Sequence, residues 1–165
     1  MSGLYAFKYT GQAFDELERL LDEWNNPAVL EDFFEQYEND LHYFGTNVES
    51  ATIETINEAT RLSNLLLALS GHATNSLHNI FRPLDDTEYK SILLSKQKAK
   101  RGWLRLYSIK IDINHYVITG GAIKLTHQMQ DRPHTQSELT KLERCKNFLR
   151  SNGVFDSDSF NEMTV

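Results

Sequence analysis

The stretch "WLRLYSIKIDINHYVITGGAIKLT", residues 103–126, decides which fold the chain can adopt. Its β-branched and aromatic residues alternate with polar ones at a period of two, the pattern of strands. Together with the segment before it, the stretch divides into strands "SILLS", "WLRLYSIKI", "HYVIT" and "AIKLT", with turns at Lys100-Arg101-Gly102 and Asp112-Ile113-Asn114. A parallel crossover needs about a dozen or more residues, and these linkers are shorter. An antiparallel meander is expected, with Gly120-Gly121 placing a bulge or bend in its last run.

Working outward, the period changes to 3.6. "GLYAFKY" at 3–9 reads as an initial strand, after which Phe14, Leu17, Leu20, Leu21 and Trp24 share one face of a first helix. Asn26-Pro27 is an N-cap and N1 pair for a second helix, along which Leu30, Phe33, Phe34, Tyr37, Leu41 and Phe44 form a stripe to be buried before Gly45 ends it. The spacing Thr46 to Glu49 fits a capping box for a third helix, lined by Ile53, Ile56, Ala59, Leu62, Leu66 and Leu69 and stopped by Gly71. After a loop with room for one short helix and the strand region, Pro133 and the Thr135 to Glu138 box open a final helix with Leu139, Leu142, Cys145, Phe148 and Leu149 on one face. The expected fold is α+β: one domain over 1–150, with a helical region at 11–80 and a basic sheet and final helix at 90–150. Its antiparallel sheet of about four or five strands packs with amphipathic helices. Residues 151–165 read as a loosely ordered acidic tail.

The composition, 40% hydrophobic and 24% charged over 165 residues, is that of a globular protein. Cys145 is the only cysteine, which excludes an internal disulfide and suits a packing role in a reducing compartment. The most apolar run, "LLLALSGHA", is far shorter than the roughly 20 residues of a membrane span, and the opening residues lack the pattern of an export signal. A soluble cytoplasmic protein is expected.

Charge is distributed unevenly. Residues 1–81 hold three Lys or Arg against 13 Asp or Glu, whereas residues 82–150 hold 14 against seven, within a net charge of -6. A local positive field can attract a polyanion whatever the net charge. Strand alternation puts Trp103, Arg105, Tyr107, Ile109 and Ile111 on one face and Leu104, Leu106, Ser108 and Lys110 on the other. A functional reading instead gathers Arg105, Lys110 and Lys124 around one concave face, with Lys96, Lys98, Lys100, Arg101 and Arg132 on loops beside it. Such a face suits single-stranded RNA, in which cations hold phosphates and aromatics stack on bases. Cleavage there needs no metal or cofactor: the ribose 2′-OH attacks, a base takes its proton, and cations neutralise the crowded phosphate. His127 and His134 are the nearby imidazoles, although each also reads as an ordinary surface histidine. Asp131 between them does not complete a metal site, since Pro133 intervenes and a further ligand is missing. Neither a phosphate-binding glycine loop nor a nucleophile elbow or kinase signature occurs.

The segment "LRLYSIKIDINHYVITGGAIKLTHQMQDRPHTQSELTKLERCKNFL" resembles the RelE/ParE-like toxin superfamily of bacterial toxin-antitoxin systems, in particular its HigB-like and phage-derived branches. Leu104-Arg105 looks like the family's basic strand element and Ile123-Lys124-Leu125-Thr126 like its lysine-containing strand end, although Leu125 stands where the family has a second lysine. The similarity covers residues 93–149 most clearly. It implies an mRNA-cleaving endoribonuclease, often ribosome-associated, neutralised by a small helix-turn-helix antitoxin. Arg105 and Lys124 are the positions it carries over, as phosphate or transition-state contacts; His127, Lys96 and Lys98 come from local chemistry. The acidic helices are larger than the family's, and could dock on the basic sheet or form a homo-oligomer or antitoxin interface.

Overall fold

A computed structural model describes residues 3–70, 77–84, 94–112, 114–125 and 133–164. In chain order these form β1 (Leu4–Ala6), α1 (Glu16–Trp24), α2 (Pro27–Gln36), α3 (Glu38–Tyr43), α4 (Val48–Ser70), a 3-10 turn (Leu77–Asn79), β2 (Phe81–Pro83), β3 (Ser95–Arg101), β4 (Leu104–Asp112), β5 (His115–Ile123), α5 (Pro133–Ser151) and α6 (Ser157–Thr164). The fold is α+β, with a mixed five-stranded sheet in the order β1-β5-β4-β3-β2. β2 to β5 form the expected antiparallel meander. β1 departs from it by pairing parallel with β5 through Leu4 and Tyr116, because the helices and strands between them supply the long crossover that the hairpins lack.

The sheet is covered on both faces. Leu104, Leu106, Tyr116, Ile118 and Ile123 point to the layer formed by α1, α2 and α4, where they meet Leu20, Trp24, Leu30, Phe34 and Leu62. Tyr107, Ile109, Ile111, Val117 and Ala122 point to α5 and α6, meeting Leu142, Cys145, Leu149 and Phe160. The alternation of residues 104–111 is as expected, but Trp103 precedes β4 and turns to the helical layer, edge-on to Phe34.

Several boundaries differ from the periodic reading. The aromatic stripe after Pro27 is divided between α2 and α3 at Tyr37, and Phe44 at its end is half exposed. Asn26 caps α2 as expected, accepting from the Ala28 and Val29 amides, whereas α4 is capped by Asn47, whose Oδ1 accepts from Ser50 N at 2.9 Å, in place of Thr46. Thr135 and Glu138, expected at the opening of the last helix, lie inside α5 and are buried. Residues 157–164 form α6 and bury Phe160, so the acidic composition conceals an apolar anchor. Gly71 lies outside the described residues.

A register shift opposite Tyr107/Ser108 places a bulge in β5 just before Gly120-Gly121. Beyond β1, the Tyr9 hydroxyl donates to Thr119 O at 2.5 Å, and α1 and α5 close around this part of the sheet through charged groups. Glu16, fully buried, accepts from Arg19 at 2.8 Å, Gln12 at 3.0 Å and Lys141 at 2.9 Å; Lys141 also reaches Glu138 at 3.1 Å. Gly121 is required for close packing: a Cβ there would stand 2.7 Å from Arg105 O, 2.9 Å from Leu20 Cδ1 and 3.0 Å from Trp24 Cη2. Because a backbone atom cannot swing aside, Gly121→Ala is expected to cost about 1–3 kcal/mol, read from the chemical denaturation midpoint.

Candidate functional site

The run "SKQKAKR", read from sequence as the end of one strand and a loop, is strand β3. Its Gln97 and Ala99 are buried beneath α4, and Lys96, Lys98 and Lys100 therefore project from the opposite face. The register sets Lys96 against Ile109, Lys98 against Tyr107 and Lys100 against Arg105. Arg105 is in turn opposite Ala122 on β5. Lys124 is two residues beyond Ala122, and its amide donates to Trp103 O at 2.8 Å, so it continues the same face past the strand end.

Lys100, Arg105 and Lys124 consequently line one groove of about 780 Å³ at the end of the sheet, together with Gly102, Trp103 and Leu125. Its other wall is helical, carrying Asp40 and Tyr43 of α3, the following Phe44 and Thr46, and Glu54 of α4. Arg105 Nη1 donates to Gly102 O at 2.7 Å and Leu104 O at 3.0 Å, which fixes the head of the side chain at the β3–β4 turn. Burial lowers the guanidinium pKa from its ordinary value, so the group gains from an anion that restores the interactions lost with water.

The remaining cations fall elsewhere. Lys96 is on the same face but pairs with Glu143 of α5 at 2.5 Å, and that contact holds the Glu143 carboxyl below its usual range. Lys98 lies between Arg82 on β2 and Tyr107 on β4, alongside the groove and outside its lining. Arg101 faces the helices, with Nε 2.6 Å from Glu58, which also receives Arg61 at 2.6 Å. Lys110 also points to the helical face, opposite Tyr116 and away from the groove. Arg101 and Lys110 therefore do not join the basic face with which the functional reading groups them; strand parity, fixed by the buried Ala99 and Leu106, turns both to the other side, where alternation alone already puts Lys110. His127, Asp131 and Arg132 lie outside the described residues.

His134 is neither a surface histidine nor a groove group. Its Nε2 donates to Ile123 O at 2.7 Å, and its ring sits 5.1 Å from both Phe33 and Tyr37. It fastens the start of α5 to β5 and α2. Among the described residues, no cluster of His, Cys, Asp and Glu could hold a metal ion, and no helix is long and apolar enough to cross a membrane.

The helical wall is the part of the site that sequence reasoning passed over. Tyr43 is 89% exposed and falls off the stripe that continues through Leu41 and Phe44, a signal available from spacing alone. Asp40 lies one turn before it. No family model, curated protein or solved structure matches the chain.

Proposed function

We infer that the chain is a toxin of the RelE/HigB-like kind, acting in the cytoplasm by binding messenger RNA in the groove and cleaving it or blocking its translation. The observation that carries this reading is the direct opposition of Lys100 and Arg105 across β3 and β4, with Lys124 on the same face of the same groove. Like charges directly opposite one another weaken a sheet, and a phosphate placed between them converts that repulsion into attraction. In cleavage, the ribose 2′-OH loses its proton to a base and attacks the adjacent phosphorus, forming a 2′,3′-cyclic phosphate and expelling the 5′ oxygen, which takes a proton from water and leaves as a hydroxyl. The three cations neutralise the pentavalent phosphate, and Asp40, Glu54 or His127 provides the base. A helix-turn-helix antitoxin would neutralise the protein, and the acidic helices offer it a surface.

Arg105 supports a second reading. Because Nη1 is held by two backbone carbonyls, the guanidinium is a fixed platform, as a non-catalytic protein binding nucleic acid or an acidic protein also needs. Inducible expression in a bacterial host separates the two. The toxin reading expects growth arrest and new mRNA 5′ ends, both lost in the Arg105→Ala, Lys124→Ala double variant. Normal growth with intact mRNA at verified expression would sink it and leave the binding protein.

A further inference from the structure

The groove is polarised, and its two walls differ in kind. The sheet wall is lined by Lys100, Arg105 and Lys124; the helical wall is lined by Tyr43 and Phe44 together with Asp40 and Glu54. The aromatic side is connected to the core through ring contacts. Phe34, fully buried, meets Trp103 edge-on at 5.7 Å; Trp103 meets Phe44 at 6.2 Å, and Phe44 meets Tyr43 at 5.6 Å with the rings 88° apart. Trp103 is further fixed by its indole N–H, which donates to Thr55 Oγ1 at 2.8 Å. The result is a file of rings from the core to a tyrosine that exposes 89% of its surface beside the three cations.

Tyr43 meets Phe44 edge-to-face and leaves most of its surface open, so its ring offers a face to a flat partner. Its neighbours determine the partner's polarity. Carboxylates repel phosphate from the helical wall and accept hydrogen bonds from amino groups; cations draw phosphate to the sheet wall. A ligand with an anionic backbone on one side and a flat, donor-bearing ring on the other satisfies both walls, and an unpaired nucleotide has that chemistry.

We propose that Tyr43, braced by Phe44, is the base-stacking platform of this groove, so that the protein takes single-stranded RNA with an unpaired base on the helical wall and its phosphates on Lys100, Arg105 and Lys124. The proposal rests on the RNA-binding reading above and adds residues that the resemblance does not supply. Stacking on one aromatic side chain is worth about 5- to 150-fold in affinity.

The test is fluorescence anisotropy of the full chain with a labelled short single-stranded RNA of mixed sequence and with the same strand made abasic. Tyr43 is exposed enough that Tyr43→Ala leaves the fold intact, which circular dichroism verifies. The expected result is an RNA affinity lowered by about 5- to 150-fold in Tyr43→Ala and restored in Tyr43→Trp, with wild type and Tyr43→Ala equal on the abasic strand. RNA binding that falls in Lys100→Ala, Lys124→Ala and is unchanged in Tyr43→Ala would overturn the platform and leave the RNA reading standing. Equal loss of affinity by Tyr43→Ala on both strands would also overturn it, since a base would then not be what Tyr43 holds. Failure of the folded wild type to bind RNA at all would remove the RNA reading itself, and the platform with it.

Discussion

Glu16→Ala is expected to cost roughly 1–3 kcal/mol, because it removes the buried acceptor that three side chains share. Glu16 is wholly buried and receives Arg19, Gln12 and Lys141; Lys141 also holds Glu138 and Arg19 also holds Glu23, and these remaining contacts limit the loss. Burial alone would raise the Glu16 pKa. The hydrogen bonds from Arg19, Lys141 and Gln12 outweigh burial and bring it down from 4.5 to about 2. A depressed carboxylate stabilises the fold above its ordinary pKa, and that contribution is lost as the pH falls through the interval from 4.5 to about 2. Glu138 has the opposite sign, since burial raises its pKa and its ionisation therefore favours the unfolded chain as the pH rises. Denaturant midpoints measured from neutral to acid pH should fall steeply through the Glu16 window in wild type and less so in Glu16→Ala. A loss below about 1 kcal/mol at neutral pH would mean that the network is worth no more than surface ion pairs.

Phe34→Ala should cost more, about 3–5 kcal/mol, through lost transfer energy and the cavity left behind. Phe34 is fully buried, with Phe33 edge-on at 5.3 Å and Trp103 at 5.7 Å. Its removal has a second consequence: Trp103 loses the ring against which it is set, and the file reaching Tyr43 loses its buried end. Unfolding followed by circular dichroism gives the stability loss, and tryptophan emission of the native variant should move to longer wavelength as Trp103 loosens. A loss under about 1.5 kcal/mol with unchanged emission would show that neighbouring side chains refill the site.

How much of this was legible in the sequence depended on where apolar residues marked the strand or helix period. Residues 104–123 alternate clearly, and their strands and faces follow directly. β3 was obscure because in "SKQKAKR" Ala99 is the only apolar residue on the buried side, and Gln97 is buried beside it. Composition there suggests a loop; pairing with β4 overrides it. β2 was missed because three residues carry too little pattern, and Pro83 at its end argues against a central strand while allowing this edge one. Of the candidate site, Lys100 came from charge and Arg105 and Lys124 from charge and the resemblance together; alternation along β4 already sets Lys110 apart, whereas the place of Arg101 needed the β3 strand that its composition hides. The helical wall required knowledge of which helix overhangs the sheet end, and a single helical period does not carry that information.

The parallel pairing of β1 with β5 also orders events in time. A strand formed by residues 4–6 leaves the ribosome more than a hundred residues before its partner at 116–118. Until then β1 has no template, and after β5 forms its hairpin with β4 the outer edge of β5 stays open until β1 returns to it. Closing so long a loop is slow compared with forming the hairpins, so the edge of β5 is the surface through which a newly made chain is most exposed to pairing with a second one.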